Sequence, residues 1–476
     1  MKRSIKLTFE MFVVLGLLLS ACGTPAASPT AAPVATTAPV ATTAPVATTA
    51  PEPTTAPVEP VSITMWSMPN GPDPQGAIDV EIAAFMEANP NIEVTAEIVD
   101  WGSAFGRIQT AVQGGEGPCV TQVGTTWVPT FGSMGGLRNF GDAEIADMGG
   151  EENFVAASWE TAAVEGNVVS IPWVADVRAV AYRTDILEEV GLTPEEAFAD
   201  LDAMEAALVA IKDAGLTDAD GNPIAPFVHP GRNDWNVWQN ASMWIWQYGG
   251  DLLTPDGTQA AFNSEEAAAG VARFNGLFAK GLTTPDALEL NSSQTDAAFG
   301  NGQVAMYITG PYIVSSSRTP VDDGGWASEE AAANWAFAEF PAGPGGQFTF
   351  IGGSNLVVMG NCPDQEAALE FVKYLVGNES QVRYATAVGL MPATVEGQAD
   401  PYFADDPIYQ TLISAAQKGK TSVNIPQWGV VETNLQTALQ ALWEDVAALG
   451  TTPITEEAVK ARLDEAAATV NELLQQ

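Results

Sequence analysis

From Val61 onward the apolar residues switch repeatedly between a two-residue period and a helical one, and this limits the fold more than any other feature of the chain. The stretch "VSITMWSMPNG" alternates as a strand does and breaks at Pro69-Asn70-Gly71. Ile78, Ile82, Phe85 and Met86 then recur at helical spacing until Asn89 and Pro90 stop the helix. "IEVTAEIVD" alternates again, and residues 106–112 are helical up to the Gly-rich residues 114–117. "CVTQVG" is a short strand running into the turn "GTTW" at residues 124–127. Strands separated by helices predict an α/β lobe with a largely parallel sheet.

Further on, the alternation is interrupted. "VVSIPWVADVRAVAYRTDIL" holds two extended runs joined through Pro172 and Trp173, as a crossing between two lobes is. Thr193-Pro194-Glu195-Glu196 is a capping box with proline at the first helical position, and the helix is expected to continue to about Ala214. Ser264-Glu265-Glu266 starts another helix ending near Gly281, and a helical tail runs from about Glu456. In "GRNDWNVWQNASMWIWQYGG", Trp238, Ser242, Ile245 and Tyr248 recur at helical spacing and are expected in a core.

The start of the chain follows other rules. Lys2, Arg3 and Lys6 precede an apolar run from Met11 to Leu19, shorter than the ~20 residues a membrane span needs, so residues 1–21 are expected to be a secretory signal. The run closes in Leu19-Ser20-Ala21-Cys22, which resembles the lipobox of bacterial lipoproteins and implies cleavage before Cys22 and lipidation there. Then "APVATT" repeats through residues 32–55, where proline removes backbone donors and the remaining residues are too small and polar for a core. Residues 22–60 are expected to be a lipidated cysteine plus a tether, reaching roughly 120 Å at about 3.1 Å per residue if fully extended.

Charge and composition exclude several functions. Against 59 Asp and Glu stand 18 Lys and Arg, a formal charge of −41, so a nucleic-acid partner, which needs clustered basic residues, is not expected. Anionic ligands are disfavoured at long range and neutral ones fit better. With Cys22 lipidated, Cys119 and Cys362 remain, and an oxidising exterior would let them pair. His229 is the single histidine, which removes the usual parts of zinc sites and of Ser-His or Cys-His catalysis. No metal or cofactor is expected.

The segments "ITMWS", "GTTW", "IPWVADVRAVAYRTDIL", "FGNGQVAMYITGPY", "FIGGSNLVVM", "GLMPA" and "NIPQW" occur in the order found in extracellular solute-binding proteins of ABC sugar importers. Across nearly all of residues 61–476 the chain resembles this maltose-binding-protein-like family. The resemblance implies a two-lobed periplasmic-binding-protein fold of type II topology, with hinge strands between the lobes and ligand in the cleft. Lobe one is expected at residues 61–175 and 352–392, and lobe two at 176–351 and 393–476. In that topology the strand at Cys119 lies antiparallel to the returning strand "GSNLVVMGNC", which implies a Cys119–Cys362 disulfide far from the cleft. The same pairing sets "GTTW" against Gly352, Gly353 and Ser354 at the cleft mouth, where small residues let a ligand approach the backbone.

Sugars need aromatic faces above and below the ring and planar polar groups around its edge. The resemblance therefore points to Trp66, Asn70, Thr126, Trp127, Trp173, Asp176, Arg178, Asp234, Trp235, Tyr312, Gly353, Ser354 and Trp428 as candidate ligand contacts. Trp66 and Trp127 have core packing as their alternative, Trp173 a wedge at the hinge, Thr126 a capping role, and Asp176 a salt bridge with Arg178. Trp127 follows three small residues that offer few neighbours for burial, and it takes a stacking position in the family. Tyr312 stands where the family often has a stacking tryptophan. His229 is expected to be packed or solvated rather than a ligand.

The expected function is capture of a mono- or oligosaccharide outside the cell and its delivery to an ABC permease by hinge closure, without enzymatic activity. A monomer anchored by its N-terminal lipid is expected. The alternatives are the same fold holding a glycerol phosphodiester or other small polar metabolite, for which Arg178 is the cationic candidate, and a secreted glycoside hydrolase with a carboxylate pair across a cleft.

Overall fold

The computed structural model describes residues 60–232, 234 and 236–475. The leader, Cys22, the repeat and Trp235 lie outside them. Thirteen strands form among the described residues: β1 (Val61–Ser67), β2 (Ile92–Ile98), β3 (Val120–Gly124), β4 (Ala163–Val164), β5 (Asn167–Val168), β6 (Ile171–Val177), β7 (Ala179–Arg183), β8 (Ala225–Val228), β9 (Val304–Thr309), β10 (Trp335–Ala338), β11 (Thr349–Val358), β12 (Met391–Pro392) and β13 (Gly419–Lys420). The larger sheet runs β12-β6-β11-β3-β1-β2, with β13 added to β11, and the smaller runs β10-β7-β9-β8.

Parallel pairing of β1 with both β2 and β3 is what the strand-helix alternation demands. The first connecting helix, Pro74–Ala88, starts where the Asp73 side chain accepts the Gly76 N–H, and it buries Ile78, Ile82 and Phe85. The second, Trp101–Gly114, is capped by the Asp100 side chain and stopped by Gly115 at φ 71°. It therefore begins five residues before the expected 106, because the Asp100 cap starts the turn.

β11 lies antiparallel to β3, with Ser354 opposite Gly124 and Val358 opposite Val120. Beyond Val120 the pairing brings Cys119 to Cys362, which form the disulfide. On its other side β11 pairs antiparallel with β6, and the register shifts between Ser354 and Asn355. Pro172, which has no N–H to give the ladder, sits opposite Asn355 at this irregularity.

Three expectations need correction. The passage from the larger to the smaller sheet is not at Pro172 and Trp173, which lie inside β6, but at Arg178, between β6 and β7; its N–H donates to the Phe350 carbonyl of β11. The helix from Pro194 is two helices, Pro194–Ala197 and Leu201–Ala214, because the Asp200 side chain accepts the Ala203 N–H and starts a new one. The helix Val237–Gln247 buries all eleven of its residues, not one stripe, because it is enclosed by helices Glu265–Ala279 and Trp428–Leu449. Each sheet has its own apolar core: Ile63, Met65, Leu356 and Phe371 around the larger, Val180, Phe227, Trp244 and Leu439 around the smaller. No helix among the described residues is long and apolar enough to cross a membrane.

Candidate functional site

A cleft of about 590 Å³ opens where the ends of β3, β6 and β11 face the loop after β9 and the start of helix Ser292–Gly300. One wall comes from the larger sheet. Gln122, fully buried on β3, anchors it: its Oε1 accepts from Met68 N–H (2.9 Å), Ser67 Oγ (3.2 Å) and Asn70 Nδ2 (3.4 Å), and its Nε2 donates to Ser354 Oγ at 2.8 Å. Asn70 also donates to Tyr384 Oη at 3.1 Å, so Asn70 and Ser354 are fixed before any ligand arrives.

The aromatic part of this wall is a pair of tryptophans. Trp127 is 6% exposed and packs edge-on against Trp101 (5.6 Å), Phe105 (5.6 Å) and Phe131 (6.4 Å). The expectation of few neighbours fails because the helices Trp101–Gly114 and Val128–Ser133, not the preceding small residues, supply them. Trp101, first residue of that helix, donates its indole N–H to the Pro69 carbonyl at 3.0 Å and presents part of its ring to the cleft.

The polar wall combines Asp176, at the end of β6, with side chains of the smaller sheet and of the helix Ser292–Gly300. Arg178 forms an ion pair with Asp176 at 3.0 Å, donates through Nη1 to Tyr312 Oη at 2.8 Å and reaches Gln239 Oε1 at 3.4 Å. Thr309 Oγ1 donates to Tyr312 Oη at 2.9 Å. Asp296 Oδ1 accepts from Tyr307 Oη at 3.1 Å and lies 3.4 Å from Thr309 Oγ1. Among the described residues two buried atoms here have no partner, Asp176 Oδ1 and Arg178 Nε. Gly310 lets the Asp176 carboxylate in, since a Cβ there would lie 2.0 Å from Oδ1.

Burial sets the electrostatics of this wall. It pushes the Asp176 carboxyl up against the pull of Arg178, and it pushes Asp296 up to about 7 against its hydroxyl donors and the Arg178 charge. For Arg178 burial opposes the charged form, but the Asp176 charge and Tyr312 outweigh it, and the guanidinium is held more firmly protonated than usual. Burial also raises the Tyr312 phenol.

Of the candidate residues, Asn70, Thr126, Trp127, Asp176, Arg178, Asp234, Tyr312, Gly353 and Ser354 line the cleft. Asp234 is already committed: Oδ2 accepts from the Ser292 N–H (2.5 Å) and Oγ (2.8 Å), and Oδ1 from the Asn236 N–H (2.8 Å). It holds the start of the helix that carries Asp296. Gly353, at φ 136°, is also needed by its own sheet, since a Cβ would lie 2.1 Å from the Val174 carbonyl oxygen of β6.

Three tryptophans do not reach the cleft. Trp66 turns toward the helix Trp101–Gly114, where the Arg107 guanidinium covers its ring at 4.3 Å. Trp173 is fully buried and stacked on Tyr384 at 4.2 Å. Trp428, also fully buried, packs edge-on against Trp238 at 5.3 Å, because it opens a helix that covers the smaller sheet's core. His229 is packed against Trp443 at 4.4 Å, and burial lowers it to about 4. Sequence reasoning missed Trp101, Gln239 and Asp296. The available signals were the Asp100 cap before Trp101 and the Asn291–Gln294 capping box one turn before Asp296.

The sequence profile of the bacterial extracellular solute-binding protein family matches residues 69–382. The diacetylchitobiose binding protein DasA of Streptomyces coelicolor is 25% identical over 390 residues, covering 78% of this chain and 82% of that one. Among solved structures, an ABC transporter solute-binding protein of Thermotoga lettingae bound with α-D-tagatose has a TM-score of 0.74 at 22% identity, over 87% of this chain and 100% of that one. The GacH receptor of Streptomyces glaucescens, solved unliganded and with acarbose and an acarbose homolog, has a TM-score of 0.73 at 20% identity, over 88% and 99%. The two sheets and their cores are thus the two lobes of a shared α/β fold.

Proposed function

The chain belongs to the bacterial extracellular solute-binding proteins, a family of binding proteins of ABC transporters and not of enzymes, and from that premise we propose that it captures a carbohydrate outside the cell and hands it to an ABC permease. One observation carries the reading: the cleft opposes an aromatic wall, Trp101 and Trp127, to a polar wall on which Asp176 Oδ1 and Arg178 Nε are buried without partners. A sugar offers both complements, apolar C–H faces for the rings and hydroxyls for the carboxylate and guanidinium. The relatives support it, since DasA is a diacetylchitobiose binder and the two structures hold tagatose and acarbose.

Closure at the Arg178 crossing brings the walls together, and a ligand touching both favours the closed state by its differential affinity. We place the lobe division at 61–175 with 352–392 and 176–351 with 393–476, and the protein as a monomer held at the membrane by lipid on Cys22. Cys22→Ser should release it from salt-washed membranes, and continued retention would count against the lipid. A phosphodiester is less well served: among described residues lining the cleft only Arg178 is basic, and its charge is already paired with Asp176 at 3.0 Å.

The test is a thermal-shift screen over neutral mono- and oligosaccharides, phosphodiesters and polyamines, since a ligand at 100 Kd adds about 2.7 kcal/mol of apparent stability. A saccharide should raise the melting temperature. A shift with phosphodiesters alone, or conversion of an oligosaccharide to shorter products, would overturn the reading.

A further inference from the structure

Four carboxylates and one guanidinium line the cleft: Asp100, Asp176, Asp234 and Asp296 against Arg178. Three of the carboxylates have settled roles. Asp100 caps the helix Trp101–Gly114, Asp234 holds the start of the helix Ser292–Gly300, and Asp176 is paired with Arg178 at 3.0 Å. Asp296 differs. Among the described residues its hydrogen-bond partners are two neutral hydroxyls, Tyr307 and Thr309, both on Oδ1, and it forms no ion pair.

Resting on the carbohydrate reading above, we infer that the saccharide this cleft selects carries a free, protonated amino group, and that Asp296 is the cleft residue that meets it. A neutral hydroxyl can hydrogen-bond to a carboxylate but leaves its charge uncompensated in a partly buried wall. An ammonium supplies both the donors and the missing charge. The walls around Asp296 agree with this. Arg178 is held by Asp176, Tyr312 and Gln239, so among the described residues that line the cleft no basic side chain forms an ion pair with Asp296, and the Arg178 charge that reaches it does not outweigh burial. Burial pushes the Asp296 carboxyl up to about 7, which marks a charge the protein itself leaves poorly compensated. At long range the formal charge of −41 concentrates cationic ligands near the cleft.

The reading is tested by calorimetry at pH 7 on the full chain, with glucosamine, galactosamine, mannosamine and the β-1,4-linked glucosamine dimer. Each is compared with its hydroxyl and its N-acetyl counterpart, so that only the substituent changes. At least one amine should bind roughly tenfold more tightly than both counterparts. Asp296→Asn should erase that preference. If a neutral sugar is the tighter ligand in every set, the inference is wrong and the carbohydrate reading stands; this comparison uses the wild-type chain and holds whether or not the variant folds. Failure of every saccharide to bind, amine or neutral, overturns both.

Discussion

The Asp176 carboxylate meets the Arg178 guanidinium at 3.0 Å where the chain leaves the larger sheet for the smaller one. The pair thus links the cleft to the crossing between lobes. Arg178 also gives its backbone N–H to Phe350 of β11, the strand that lies beside both β6 and β3. Asp176→Asn keeps the shape but removes the charge, leaving the buried guanidinium without its partner. Denaturant unfolding should show a loss of about 3 kcal/mol, and saccharide affinity should fall about tenfold or more as the unpartnered Oδ1 loses its charge. Unchanged stability would show that the pair is not what holds Arg178.

Trp101 and Trp127 divide the aromatic wall between ligand and core. Trp127, enclosed by Trp101, Phe105 and Phe131, should cost about 3–5 kcal/mol of stability when changed to alanine. Trp101→Ala should cost less stability and weaken saccharide binding by about 30-fold. Paired unfolding and binding curves check this, and the reverse ordering would make Trp127 the ligand's platform.

How far the sequence could be read follows from these residues. Period-two and helical spacing located β1, β2, β3 and the helices between them because apolar alternation is a local consequence of burial. The capping box at Thr193 and the N-cap at Ser264 marked helix starts for the same local reason, whereas the second start at Asp200 depends on a cap six residues beyond Pro194, inside an already helical pattern. Which tryptophan faces the cleft is not a local property. Trp66, Trp173 and Trp428 all stand in motifs shared with the family, yet each is covered by a residue distant in sequence: Arg107, Tyr384 and Trp238. Asp296 was illegible because its position depends on Asp234 holding the start of its helix from 58 residues away. The disulfide came through the resemblance, since antiparallel β3 and β11 bring together cysteines 243 residues apart.

That disulfide should stabilise without tuning the site. Cys119 and Cys362 lie at the ends of β3 and β11 opposite to Gly124 and Ser354 at the cleft. Changing both cysteines to serine should lower stability by about 2–4 kcal/mol through the long loop it closes, with saccharide affinity unchanged. A matching loss of affinity would show that the bond shapes the cleft.

Glu432 introduces a pH dependence away from the cleft. Burial raises its carboxyl to about 7, against the hydrogen bond that the Trp238 indole donates at 2.9 Å. Between about 4.5 and about 7 the folded chain keeps a proton that the unfolded chain has released, so this group makes stability fall as pH rises through that window. His229, lowered from 6.5 to about 4, acts in the opposite direction because the unfolded chain is the more protonated form there. Glu432→Gln removes the first contribution. Relative to wild type, its stability at pH 8 should improve by about 1–3 kcal/mol over its relative stability at pH 4.5, measured by denaturant unfolding at both. Parallel curves at the two pH values would show that Glu432 titrates normally.

The central claim is that the ligand is held between the Trp101 wall and the Asp176 wall. It is tested most directly by calorimetric titration of wild type and the Trp101→Ala/Asp176→Ala double variant with the saccharide that most raises the melting temperature. One ligand should bind per wild-type chain, and the double variant, shown to be folded by circular dichroism, should bind at least about 100-fold more weakly. Equal affinity in a folded double variant would place the ligand elsewhere and contradict the account.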